Sequence, residues 1–308
     1  MKKNIGIDIG GTKVMLGVVD EEGTILIKKK IPMQPELSAE NMIGQIAQEA
    51  RRMLDDANIG MEEISFVGAG VPGTVDTAAG IVEYCPNICW DSVPAGKYFR
   101  EALGKETLLS QDSRLAALGE SLFGAGRDYG SIACITIGTG IGCGLIYGKK
   151  IFGGGLGTAG ELGHIVCEAD GRQCPCGNRG CLERYSSGTG ILLEAKESYP
   201  VQFAGTVRTE DVFDLAYAGS TSAKEVIARS VSRLADGIVT LVNIFAPEAV
   251  IISGGLCEHK ELVIEPLQNA VQMRGYPAWT RQSRLPVRKA ELGADAPMIG
   301  ASALYRGI

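Results

Sequence analysis

His164, Cys174, Cys176 and Cys181 place one imidazole and three thiols within eighteen positions, with Pro175, Gly177 and Gly180 turning the chain between them. Three Cys and one His make a tetrahedral zinc set, and with all four positions filled by protein the ion is expected to be structural, with no open position for catalysis. Glu161 stands three residues before His164 and Glu183 two after Cys181. A metal-stiffened loop would therefore present two carboxylates, which are good acceptors for hydroxyl groups and equally common as solvated surface acids.

Glycine-rich turns are the second set of residues with chemistry in reach. Asp8-Ile9-Gly10-Gly11-Thr12-Lys13 ends one strand-like run and begins another. Without Cβ atoms in the way, its N–H groups can line a tight turn that holds phosphate oxygens, with Asp8 nearby as an outer ligand for Mg²⁺. The same six residues also suit an ordinary glycine hairpin. Gly138-Thr139-Gly140-Ile141-Gly142-Cys143-Gly144 is less ordinary, since alternating glycines weaken a strand pair unless something presses on the backbone. Two such turns suggest a clamp on phosphates. Neither has Walker A or Rossmann spacing. A third turn, Ser253-Gly254-Gly255-Leu256, joins a buried strand to a helix, a place for the nucleoside of ATP or simply a tight junction.

These turns need strands and helices to hold them. Strands are expected over 4–9, 14–20 and 24–31, followed by a helix carrying Met42, Ile43, Ile46, Ala47, Ala50, Met53 and Leu54 at helical spacing, then a strand over 64–69. A short amphipathic helix follows Asp112. Strands over 131–137, 143–147 and 150–152 then repeat the opening pattern, with Gly138-Thr139-Gly140 standing where Gly10-Gly11-Thr12 stood, so the chain reads as internally duplicated. A long helix over 222–245 stops before Pro247, a buried strand covers 249–253, a helix 260–273, a strand 286–290 and a last helix 297–305. The class is α/β in two similar lobes, with a cleft between lobes as the expected ligand site.

Bulk composition narrows the function. The chain has 308 residues, 45% of them hydrophobic, and a formal net charge of −6. No basic run exceeds Lys28–Lys30, which reads as a solvated strand edge, so nucleic acid is not expected as a partner. No segment has the apolar length to span a bilayer, and the N-terminus turns at once into a strand, so a cytoplasmic location is expected and no membrane partner. Nine cysteines, an odd number, suit a reducing compartment. Cys85, Cys89, Cys134, Cys143, Cys167 and Cys257 read as small apolar residues. Glycine, at 42 residues, is about twice its ordinary share and concentrates beside the strands.

Asp8-Ile9-Gly10-Gly11-Thr12-Lys13, Gly160-Glu161-Leu162-Gly163-His164 and the run from Cys174 through Cys176-Gly177 and Gly180-Cys181-Leu182-Glu183 together resemble the ROK family of repressors, open reading frames and kinases. Val71-Pro72-Gly73-Thr74-Val75-Asp76, Pro86-Asn87 and Pro297-Met298-Ile299-Gly300-Ala301 extend the resemblance over nearly the whole chain.

The resemblance implies a duplicated actin-like, hexokinase-like (ribonuclease H-like) fold. Its lobes would be 1–112 with 296–308, and 113–295 with the zinc loop, with ATP and sugar in the cleft. It implies an ATP-dependent hexose kinase of the glucokinase type, acting on glucose at the 6-hydroxyl, or on allose, mannose, fructose or an N-acetylated hexosamine. Asp112 inherits the role of base. Gly73, Asn87, Gln111, Glu161, His164 and Glu183 inherit sugar contacts, with His164 also a metal ligand. Gly10, Gly11, Thr12, Lys13, Gly138, Thr139, Gly140, Gly254 and Gly255 inherit the nucleotide, and Asp8 the Mg²⁺. A homodimer or homotetramer is implied. The family also holds sugar-sensing repressors, which carry a helix-turn-helix module before the first strand; here that strand begins at Asn4, so a kinase is expected rather than a repressor or a non-catalytic sugar-binding protein. Two positions depart from the pattern. Gln111 replaces an Asn and is one methylene longer, and Arg114 replaces a second Asn, its charge available to a neighbour or to solvent.

Overall fold

A computed structural model describes residues 2–277, 279 and 285–308. The chain divides into two compact units, one of Met1–Cys134, Gly144–Ala159 and Glu291–Ile308, the other of Ile135–Cys143 and Gly160–Ala290.

Strands β1 (Lys3–Ile9), β2 (Lys13–Asp20) and β3 (Ile25–Pro32) form an antiparallel meander. Helix α1 (Ala39–Asp56) follows, capped by Ser38, whose hydroxyl accepts from the Asn41 N–H. It buries Met42, Ile43, Ile46, Ala50 and Met53 in one core with Ile5, Ile7, Ile9, Val14 and Leu16 of the meander. Strand β4 (Ile64–Val71) pairs parallel to β1, placing Asp8 opposite Gly70. A small antiparallel sheet of β5 (Thr74–Asp76), β6 (Ile81–Cys85) and β7 (Trp90–Val93) comes next, then α2 (Ala95–Leu103) and β8 (Thr107–Gln111). Strand β8 lies parallel to β4 with Gln111 opposite Val71, and α3 (Asp112–Phe123) starts directly from it. The sheet order is β3-β2-β1-β4-β8. The Lys28–Lys30 run thus lies on an edge strand, where Lys28 pairs with Asp295 at 2.7 Å and Lys29 with Glu49 at 2.6 Å.

The second sheet repeats this plan. Strands β9 (Ser131–Ile137), β10 (Ile141–Tyr147) and β11 (Lys150–Ile151) precede the short α4 (Glu183–Ser186), α5 (Gly188–Ser198), α6 (Thr209–Tyr217) and α7 (Thr221–Phe245). Strand β12 (Ala249–Ser253) is buried along its whole length, and after α8 (Glu265–Arg274) it is joined in parallel by β13 (Val287–Lys289). The order β11-β10-β9-β12-β13 matches the first sheet strand for strand. The helix expected over 260–273 is modified at its start, where Lys260–Ile264 form a wide π-type turn before α8. Pro266 has no N–H to donate, and a local change of hydrogen-bond register accommodates it.

Helix α9 (Ala296–Ser302) closes the first unit; the longer helix expected there ends at Ser302, and a 3₁₀ turn covers Leu304–Arg306. Backbone meets backbone under α9: a Cβ on Gly6 would lie 1.9 Å from the Met298 carbonyl oxygen, and one on Gly68 2.0 Å from that of Ala301. Glu120 of α3, fully buried, ties this region to its neighbours. Its carboxylate accepts from the N–H groups of Ala125 (2.8 Å), Leu292 (2.7 Å) and Glu291 (3.1 Å). Among the remaining cysteines, Cys85, Cys134, Cys143 and Cys257 are buried as expected, whereas Cys89 is exposed, carried outward by a left-handed backbone at φ 56°. Among the described residues no helix is long and apolar enough to cross a membrane.

Candidate active site

In the first unit, the carboxyl ends of the parallel strands β1, β4 and β8 gather Asp8, Gly73 and Gln111-Asp112 at one edge of the sheet. Open α/β sheets bind ligands at such edges, because helix N-termini point there. Asp112 is the first residue of α3, and its Oδ1 accepts the Ser113 N–H at 2.6 Å. A carboxylate here faces the positive end of the helix. Gly10 donates its N–H to the Lys13 carbonyl at 2.8 Å, closing the β1–β2 turn, with Gly11, Thr12 and Lys13 exposed. Gly73 sits at φ 87°, where a Cβ would meet the Tyr84 carbonyl oxygen at 2.2 Å, and Asn87 is exposed on a 3₁₀ turn, Pro86–Ile88.

Asp8 is the perturbed group of this edge. Burial, then the neighbouring Asp112 carboxylate, pushes its carboxyl up from 3.8 to about 7, against the opposite pull of Lys13. Two facing acids, one of them reluctant to ionise, suit a divalent cation that would relieve both. The sign of the linkage is definite. Below pH 4 the folded and unfolded chains both hold the proton, and between there and pH 7 the unfolded chain gives it up first, so folding loses stability through that window. Asp8→Asn, without divalent cations, is therefore expected to gain about 2 kcal/mol at pH 8, discounted for partial solvent access, and to gain nothing near pH 3.5. Urea midpoints at the two pH values check this; an equal gain at both would refute it.

Arg114, on the first turn of α3, does not face solvent. It is buried, and its Nη1 donates to the backbone carbonyl of Gly157 in the glycine-rich segment that precedes Gly160-Glu161 in the chain. The sequence offered a charged neighbour or water as its partner; the partner found is a carbonyl, which residue type does not announce.

In the second unit, the turn after β9 and the carboxylate of Glu183 meet. Glu183 Oε2 accepts the Ile141 N–H at 2.9 Å, and a Cβ on Gly140 would stand 2.3 Å from that same oxygen. The turn is closed by Gly138 N–H donating to Gly140 O at 3.0 Å, while Gly138 O accepts the Gly188 N–H at the start of α5. Glycine at 140 thus admits an acid side chain, and the Ile141 N–H is a contact that sequence reasoning missed, since backbone donors carry no residue signal. Gly254 follows β12 at φ 93°, and a Cβ there would lie 2.3 Å from the Ile137 carbonyl oxygen, whereas Gly255 has open space around it. Gly254→Ala meets both a strained backbone and a backbone clash. It is expected to cost about 3 kcal/mol in a denaturant titration, while Gly255→Ala stays within about 1 kcal/mol.

The four proposed metal ligands converge. One ligand atom from each of His164, Cys174, Cys176 and Cys181 lies within 4.8 Å of all the others. The Cys176 and Cys181 sulfurs are 3.6 Å apart, close to the roughly 3.8 Å edge of a tetrahedron with zinc–sulfur bonds of about 2.3 Å. His164 Nδ1 lies 3.9 Å from Cys174 Sγ. Burial, then hydrogen bonding to Cys176 and Cys174, pushes the Cys181 thiol up to about 12. Crowded thiols of this kind ionise when a cation neutralises them, so the donor set fits a tetrahedral soft-to-borderline ion. Glu161 is exposed at the head of the 3₁₀ turn Leu162–His164.

Comparison with known proteins places this geometry. Residues 4–308 match the model of the ROK family. The chain is 35% identical over 315 residues to a glucokinase of Thermotoga maritima, covering 99% of this chain and 97% of that one. It superposes with a TM-score of 0.82 and 31% identity on the crystal structure of a ROK family glucokinase from Streptomyces griseus in complex with glucose and AMPPNP, covering 99% of this chain and 100% of that one. A xylose repressor of Bacillus spizizenii is 29% identical over 308 residues, which are 98% of this chain and 76% of the repressor. The chain belongs to the ROK family, and its duplicated α/β, hexokinase-like fold is the one expected from the sequence.

Proposed function

We propose that the protein is an ATP-dependent sugar kinase that phosphorylates a hexose, glucose at its 6-hydroxyl before others, with Asp112 as general base. The observation that carries the reading is the placement of Asp112 at the N-terminus of α3, held by the Ser113 N–H and facing Asp8 across the carboxyl ends of β4 and β1. The similarity to a glucokinase along almost the full length of both chains supports it.

In this reading Asp112 accepts the proton of the attacking hydroxyl, and most of the rate enhancement comes from fixing that hydroxyl and the phosphate in line. Gly10–Lys13 and Gly138–Gly140 hold phosphate oxygens through backbone N–H groups, and Gly254-Gly255 lie against the nucleoside. Asp8 holds Mg²⁺, which neutralises charge on the phosphates when bound. Glu161, Glu183 and the second ring nitrogen of His164, with Gly73, Asn87 and Gln111, orient the sugar. Zinc, on His164, Cys174, Cys176 and Cys181, fixes the loop and takes no part in the chemistry.

The likeness to a xylose repressor favours one second reading, a sugar-responsive regulator without turnover. ADP release measured across a panel of hexoses and N-acetylhexosamines, with and without a zinc chelator, separates the two. Turnover above background with at least one sugar is expected. Saturable sugar binding with no ADP release would overturn the kinase reading.

A further inference from the structure

Between His164 and the first thiol ligand lies Arg172, a cation with only 16% of its side chain exposed. Its backbone N–H donates to Tyr185 Oη at 2.7 Å, and its guanidinium lies over the Tyr185 ring, 4.5 Å from the centroid. Nη1 donates to the Arg184 carbonyl at 2.8 Å, Nη2 pairs with Glu194 at 2.6 Å, and Nε donates to Glu197 at 2.9 Å. A second guanidinium, that of Arg233 on α7, lies 4.8 Å from the same ring and within ion-pair reach of Glu194 and Glu168. Gly171 permits the approach, since a Cβ there would stand 2.2 Å from Tyr185 Oη.

The position of Tyr185 gives this cluster its meaning. Tyr185 is buried on α4, two residues after Glu183 and four after the last thiol ligand, Cys181. One residue of the metal loop therefore grips the helix that leaves the metal site and carries Glu183, and fastens both to the longer helices α5 and α7 through Glu194, Arg229 and Arg233. Two cations over one aromatic ring hold it by its π face, and their own charges are balanced by the carboxylates around them.

We propose that Arg172 is a positioning residue that pre-forms the metal loop and, through Tyr185, couples metal retention to the orientation of Glu183 toward the sugar. The sugar half of this inference rests on the kinase reading above, and the metal half does not. Zinc-loaded protein is transferred to excess of the chromogenic chelator 4-(2-pyridylazo)resorcinol, the release rate is followed, and hexose KM and kcat are measured on the same preparations. Arg172→Met is expected to release zinc about tenfold faster or more, the scale on which residues supporting metal ligands act, and to raise hexose KM about tenfold with kcat within about threefold. Arg172→Lys keeps one charge but lacks the fork, and should recover less than half of the lost retention. Tyr185→Phe, which keeps the ring and removes one acceptor, should release zinc about threefold faster and serves if Arg172→Met does not fold. Unchanged release in the variants, or a chain that takes up no zinc, overturns the coupling; a fall in kcat at constant KM overturns the orienting role. A wild-type protein that phosphorylates no hexose would sink the kinase reading alone, and the release rates would still decide the metal half.

Discussion

Asp112→Asn is expected to lower kcat for hexose phosphorylation by about 10²- to 10⁴-fold, with the sugar KM within about threefold. The amide is isosteric and its oxygen can still accept the Ser113 N–H, so this contact on the first turn of α3 is kept. What is lost is a group that can take a proton while the hydroxyl attacks. The substitution also removes the neighbouring charge that, after burial, helps to raise the Asp8 carboxyl, so Asp8 should titrate lower in the variant. Steady-state kinetics with ATP and the preferred hexose test the first claim. A variant that turns over at half the wild-type rate would show that the proton leaves by another route.

Glu120→Ala should be the most damaging single change to stability, about 3 kcal/mol or more in a urea titration. No part of Glu120 reaches solvent, and its two oxygens satisfy the N–H groups of Ala125, Glu291 and Leu292. Truncation leaves three donors short of a partner in a space that glycine has already narrowed, since a Cβ on Gly124 would lie 2.1 Å from Oε2. Glu120→Gln keeps one acceptor oxygen but turns an NH₂ toward donors, so its cost should fall between wild type and alanine. If alanine costs less than about 1 kcal/mol, the three backbone groups have found other partners and the account fails.

Both residues lie on α3, yet they were not equally legible. Asp112 was singled out by the family pattern that runs through it and by the helical spacing that follows it, whereas β8, which precedes it, was not anticipated. Glu120 could not, because its partners are backbone N–H groups, two of them more than 170 positions away in the chain. The long regular pieces were readable from pattern: α1 and α7 carry apolar residues at helical spacing, the meander strands are marked off by glycine and acidic turns, and β12 is a continuous apolar run. The sheet of β5, β6 and β7 was not, because strands of three to five residues with Tyr84 and Glu83 exposed show no stable alternation. The convergence of His164, Cys174, Cys176 and Cys181 was legible from residue type alone, since three clustered thiols and an imidazole have few other uses. Arg114 shows the limit: a charge can be read, but not that it will end on the Gly157 carbonyl.

The seat of α9 on β1 and β4 bears on how the protein comes into being. The surface formed by Gly6 and Gly68 is complementary to main chain supplied by Met298 and Ala301, which are made more than 230 positions later in the chain. At roughly 5–20 residues per second, the first strands emerge tens of seconds before the segment that covers them exists. During that interval the nascent sheet carries an open apolar groove. A chain cut before Ala296 should accordingly yield a product dependent on chaperones, even though every strand of the first sheet has been made.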